Sequence, residues 1–124
     1  VFEVFKDAGY RTAVLHTASL DNWSYRDFLK NRRIDYQADM VTLAGPGVVK
    51  TSGFSIDDRA YIAPAMKFIA DSKEKPWFIT FIPVMPHHPY TIPFAEYELY
   101  SPAEIEATPS RSERLLKEYL NGLH

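Results

Sequence analysis

Residues 75–93 read KPWFITFIPVMPHHPYTIP, and the reading of this stretch decides the fold. Trp77 to Pro83 form a continuous apolar run, bounded by charge on one side and prolines on the other, the pattern of a strand buried on both faces. Pro86, Pro89 and Pro93 then stiffen the backbone in an extended course, with His87 and His88 held in that segment and Tyr90 close behind. A buried strand that gives way to a rigid, histidine-bearing loop is where an open α/β sheet places its chemistry.

Working back from this stretch, Thr12 to His16 (TAVLH) is a second short apolar run and predicts another buried strand. It follows Val1 to Ala8, whose apolar residues fall at helical spacing, with Gly9 as the C-terminal cap. Ser19 or Asp21 is placed to cap a helix carrying Trp23, Phe28 and Leu29 and ending near Asn31. Residues 34–53 read as irregular, with IDYQADMV a short strand or an extended connection. Ser55 and Asp58 have the spacing of a capping box before a helix whose buried stripe is expected at Ile62, Ala65, Met66 and Ile69, with Pro64 kinking or restarting it. After Pro93 comes a polar connection, then a helix over RSERLLKEYLNGLH with Leu115, Leu116, Tyr119, Leu120 and Leu123 on one face.

Composition narrows the functional classes. A 124-residue chain with 46% hydrophobic residues amounts to one globular domain or a piece of a larger one. A net charge of −2 leaves no basic footprint for nucleic acid, and no run is long and apolar enough for a membrane span. Without cysteine the segment has no disulfide, thiolate metal site or cysteine nucleophile.

Two strands separated by helices are most simply parallel, which brings their C-terminal ends to one edge. His16 ends the first strand and His87 follows the second, so the two are expected to open onto a common pocket. The N-terminus of the helix after His16 would face that edge, with Trp23 and Arg26 beside it. Two imidazoles, a guanidinium and a helix N-terminus suit a phosphate or sulfate ester. Each residue also has a structural reading: His16 as a hydrogen-bonded strand-end residue, Trp23 as core, Arg26 as a solvated cation. His87 and His88 point in different directions, so one of them at most faces the site. Two adjacent histidines without carboxylates at suitable spacing are a weak metal signal.

The succession FKDAGYRTAVLH, NWSYRDFLK, IDYQAD and GFSIDDRAYIAPAMKFIADSKEKPWFITFIPVMPHHPY resembles the middle of the sulfatase-like domain of the alkaline phosphatase superfamily, over most of residues 2–100. The resemblance implies an α/β/α sandwich around a mainly parallel sheet, of which this chain is a partial, central segment. It implies sulfatase, phosphoglycerol-transferase or phosphoethanolamine-transferase chemistry on a sulfate or phosphate ester. By the same resemblance His87 contacts the transferred group, His88 is its variable neighbour, and His16 lies near the substrate. Trp23 and Arg26 match a tryptophan and arginine of phosphoglycerol-transferase-like members, although the run here is W-S-Y-R-D, one residue longer than W-x-R-D. A G-K-W-H-like run of sulfatases is absent, which tilts the reading toward phosphotransferase-like or divergent members. The family's nucleophile and metal ligands fall before and after the segment. No cofactor is therefore expected within it, while a divalent metal (Ca, Mg, Mn or Zn) is expected in the complete protein, of which this piece alone is expected to be inert. An envelope or exterior location is implied by the resemblance alone. Exposed sheet edges offer a route to self-association.

Overall fold

The computed structural model describes residues 1–90 and 93–123. Three parallel strands form the sheet, in the order β2-β1-β5: β1 (Arg11–His16) is central, flanked by β2 (Tyr36–Ala38) and β5 (Trp77–Ile82). His16 pairs with Ile82 and Leu15 with Ala38, so all three strands end at the same rim. The parallel arrangement expected for the two apolar runs is present.

Strand alternation on β1 divides the core into two layers. Ala13 and Leu15 pack with Ala38, Leu43, Ile56, Ala65 and Phe68 on one face. Val14 packs with Phe2, Leu20 and Leu29 on the other. The first layer is closed by α3 (Met40–Leu43) and α4 (Ile62–Ser72), the second by α1 (Phe2–Asp7) and α2 (Tyr25–Leu29). The result is the expected α/β/α sandwich, with β1 buried along nearly its whole length. Burying each Val or Leu side chain of that strand contributes about 1.5–3 kcal/mol, and this burial is what holds the two layers to the sheet.

Several local expectations are corrected. The apolar run at β5 was expected to be buried on both faces, yet β5 is a border strand and leaves Trp77 and Phe81 exposed. An apolar strand pattern reports the capacity for burial; the number of neighbours decides how much is realised. The α4 stripe is Ala65, Phe68 and Ser72, while Ile62 and Met66 face outward. Phe68 sets this rotation, because its ring stacks on Tyr36 of β2 and lies under the Arg11 guanidinium. Pro64 sits in the first turn of α4, where its missing N–H costs nothing, and a 3₁₀ turn (Asp58–Tyr61) precedes the helix. Asp57 caps that turn, accepting from the Arg59 N–H, while Ser55 lies in a short strand, β4 (Ser55–Ile56). The helix expected after His16 is broken: residues 22–24 form a 3₁₀ turn in which Trp23 and Ser24 adopt φ of 50° and 60°, and only Tyr25–Leu29 is α-helical. Neither Ser19 nor Asp21 caps it. The stretch read as irregular contains β2, α3 and β3 (Lys50–Ser52), which pairs as a hairpin with β4 just beyond it.

After the histidine loop come α5 (Pro102–Glu106), opened by a Ser101/Glu104 capping box, and α6 (Arg111–Leu123). The face of α6 expected to be buried is largely exposed at Leu115, Leu116, Tyr119 and Leu123. The helix is held instead by Asn121, whose side chain both accepts from the Tyr100 N–H (2.9 Å) and donates to the Tyr100 carbonyl (2.8 Å). Gly122 lies against the loop after β5, where an added Cβ would meet the Met85 carbonyl oxygen at 3.0 Å. Alanine there gains about 1 kcal/mol of helix propensity and loses about 1–3 kcal/mol to a backbone atom that cannot turn aside. Gly122→Ala should therefore lower the melting temperature by a few degrees, read by thermal circular dichroism; an unchanged or higher value would mean that α6 is free to slide off the loop.

Candidate active site

The site is built on the rim where β1 and β5 end. His16 is 2% exposed, and its Nδ1 lies 2.8 Å from the Ile82 carbonyl oxygen. A carbonyl only accepts, so Nδ1 carries the hydrogen, and Nε2 of the neutral ring is left as an acceptor. Nε2 is buried and has no hydrogen-bond partner, alone in this among the buried side-chain polar atoms of the described residues. Leaving such an atom unpaired costs about 1–3 kcal/mol.

On the other side of the rim, the His87 N–H donates to the Val84 carbonyl (2.8 Å) and the Tyr90 N–H donates to the His87 carbonyl (2.9 Å), which folds the proline-rich segment into tight turns rather than the extended course expected from its prolines. The His88–Pro89 peptide is cis. Nδ1 of His87 lies 2.6 Å from the His88 carbonyl oxygen, so it too bears the hydrogen, and the ring is otherwise exposed. The adjacent histidines diverge as expected: His87 meets the Phe54 ring, while His88 meets Tyr90, which in turn contacts Tyr119 of α6.

A chain of edge-to-face rings joins the two histidine segments. It runs from His16 to Tyr25 (5.6 Å between centroids), Tyr25 to Trp23 (6.4 Å), Trp23 to Phe54 (6.0 Å) and Phe54 to His87 (5.6 Å). Phe54, at the tip of the β3–β4 hairpin, is the link that sequence reading missed. The hairpin is drawn over the rim because the Ile56 N–H donates to the Thr17 carbonyl (2.9 Å) and Ala18 bridges Ser55. The alternation in TSGFSI was a signal for it, masked by the neighbouring Gly/Pro run.

His16 and His87 thus share one rim, as expected, but they do not open onto a common pocket. The crevice between Phe54, Val84, Met85 and His87 holds about 10 Å³, room for about one water molecule. A cleft of about 420 Å³ lies at the opposite, amino end of the strands, around Arg11, Asp35, Tyr36 and Phe68, and no histidine of the described residues lines it.

Trp23 is 67% exposed, so its indole is surface and not core. Arg26 is on the rim but already paired: its Nε donates to Asp21 and its Nη2 to Asp39 (3.0 Å). The hydrogen bond from Arg26 holds the Asp21 carboxyl below its ordinary value, and the same contact raises Arg26. Asp39 also caps α3 through a capping box with Thr42. An incoming anion therefore meets a guanidinium whose charge is already partly compensated. The short α2, opened by a left-handed Ser24 without a side-chain cap, is a poorer anion-binding terminus than the expected helix.

Carboxylates are present at the rim after all, in Asp39, Asp57 and Asp58, each accepting backbone N–H groups. Among the described residues no group of three or more acidic or histidine side chains is placed to hold a metal ion. The donor set of a divalent metal does not fit these residues. No helix among the described residues is long and apolar enough to cross a membrane.

The chain matches the Sulfatase family profile over residues 1–124. No curated protein matches it. Among solved structures it is similar to the lipoteichoic acid synthase LtaP from Listeria monocytogenes, with a TM-score of 0.75 and 21% identity over 98% of this chain and 28% of that one. It is also similar to a protein in the alkaline phosphatase superfamily from Vibrio parahaemolyticus, with a TM-score of 0.68 and 18% identity over 98% of this chain and 29% of that one. The chain spans under a third of the length of either structure, and at these identities the likeness establishes the alkaline-phosphatase-like fold.

Proposed function

The chain belongs to the sulfatase family, and from that premise we propose that it forms the substrate-side wall of a site for transfer or hydrolysis at a sulfate or phosphate ester. The observation that carries the reading is the unpaired, buried Nε2 of His16 on the same rim as the exposed ring of His87. A synthase among the structural neighbours favours transfer to an acceptor over plain hydrolysis.

His87 has Nδ1 engaged within its own loop, which leaves Nε2 to meet a non-bridging oxygen of the ester; as imidazolium it donates there and offsets charge that builds up in the transition state. His16 in its neutral form accepts a proton from a hydroxyl brought to its buried Nε2, and as imidazolium it donates to a leaving oxygen. For that contact the edge of Tyr25 must yield, since the ring covers His16. Trp23 offers an indole face on which the non-reacting part of the substrate rests, and Phe54 extends that apolar wall to His87. Arg26 fixes the loop after β1 to α3 through Asp39 and so holds Trp23 in place. His88 packs on Tyr90, which contacts α6, and its proposed role is to bind substrate on that side of the loop. On this reading the attacking group and the divalent metal are supplied by other parts of the full-length protein.

The test is Trp23→Ala in the full-length protein with aryl sulfate and aryl phosphate esters. Covering about 60 Å² of indole at about 25 cal/mol per Å² contributes about 1.5 kcal/mol, so KM should rise about tenfold with kcat nearly unchanged. Stability should hardly move, because the side chain is mostly exposed. An unchanged KM for both ester classes argues against the indole wall.

A further inference from the structure

We infer that Asp58 is the positioning residue that sets the spacing of the two histidine-bearing segments, an inference that rests on the ester-handling role given to His16 and His87. Its carboxylate spans the gap between them. Oδ1 accepts from the Thr17 hydroxyl, next in sequence to His16, and from the Val84 N–H at 3.0 Å. Oδ2 accepts from the Met85 N–H at 2.9 Å, and the Asp58 N–H itself faces the Met85 sulfur at 3.4 Å. Val84 is also the residue whose carbonyl receives the His87 N–H, so the clamp sits one hydrogen bond from that histidine.

The carboxylate has no other task in its own turn. Asp57, one residue earlier, caps the 3₁₀ turn and also accepts from the Val49 N–H at 3.0 Å. The turn that carries Asp58 is itself fixed on two sides. Arg59 lies over the Phe94 ring at 3.4 Å, beyond the histidine loop, and Tyr61 packs on Phe81 of β5. Burial, and then the negative charge of Asp58, raise the Tyr61 phenol, so it stays neutral beside that carboxylate. With three donors converging on it, Asp58 has little left to offer a substrate or an ion, and it acts through Thr17 and Val84–Met85.

The experiment uses the full-length protein, p-nitrophenyl sulfate and p-nitrophenyl phosphate as probes, and ¹H–¹³C spectra of the histidine rings. Asp58→Ala should lower kcat about tenfold to a hundredfold, the range produced by a misplacement of about an ångström, with a smaller change in KM. Both the His16 and His87 ring signals should shift. Asp58→Asn keeps one acceptor oxygen but turns its amide NH₂ toward either the Val84 or the Met85 N–H, so kcat should fall there too, and Thr17→Val should lower kcat less and shift His16 more than His87. A variant that loses thermal stability but keeps wild-type kcat per folded molecule, with both ring signals unmoved, overturns the inference and leaves a purely structural aspartate. If Asp58→Ala does not fold, wild-type kcat in both Asp58→Asn and Thr17→Val overturns it equally. Failure of the underlying reading has a different signature: no turnover of either ester in the wild type. The ring signals then decide alone, supporting the clamp if both histidines move in Asp58→Ala and refuting it if neither does.

Discussion

Replacing His87 by alanine in the full-length protein is expected to lower kcat/KM for the ester substrate about a hundredfold or more, the loss seen when one preorganised donor to a developing oxyanion is removed. The melting temperature should stay within a degree or two. That contrast follows from the placement of the ring, which is exposed, touches only the edge of Phe54 among the aromatic rings of the described residues, and has its Nδ1 bonded to the neighbouring His88 carbonyl. Exposed side chains of this kind contribute within about 0.5 kcal/mol to stability, so a large fall in turnover cannot come from unfolding. Steady-state kinetics and thermal melts on the same preparation provide both numbers. Near-normal turnover in His87→Ala would remove His87 from the chemistry.

His16→Leu should produce the opposite pairing of costs. Leucine approximates the volume of imidazole and removes both the Nδ1–H donor and the unpaired Nε2. Exchanging a half-satisfied buried polar group for an apolar one of similar shape is close to neutral, so stability should change by no more than about 1 kcal/mol and can rise. The Ile82 carbonyl keeps a weak partner in the Thr17 N–H at 3.5 Å. Turnover should nevertheless fall about a hundredfold, because a positioned acid or base contributes roughly 10²–10⁴. A protein more stable and far less active than the wild type identifies His16 as a group kept for function at some expense of stability. Should activity survive the change, His16 is a strand-end packing residue, and the reading narrows to His87.

The parts of the fold that were legible in the sequence are those that local patterning determines. The apolar runs at 12–16 and 77–83, with Gly9 between the first helix and the first strand, were enough for a parallel sheet with helices on both faces. The parts that were not legible depend on neighbours. Nothing in WFITFI distinguishes a central strand from a border strand, and the stripe of α4 turned toward Phe68 because Tyr36 and Arg11 were there to receive it. The break at Trp23–Ser24 was invisible because neither residue is a habitual left-handed one. At the site, the convergence of His16 and His87 on one rim followed from topology. The intervening rings and the Asp58 clamp did not, since Phe54 fell between a stretch read as loop and a motif read as a cap, and Asp58 within that motif. Arg26 looked like a free cation because its two carboxylate partners, Asp21 and Asp39, are contributed by separate turns.

The position of β5 carries a further consequence. Like β2 on the other flank, the strand that leads to His87 is a border strand of the sheet among the described residues. Any chain that extends the sheet by one more strand on that flank pulls on the same ribbon that aims the imidazole. A strand added on that flank would therefore hold the lead-in to the His87 loop from outside, while touching nothing of the rim itself.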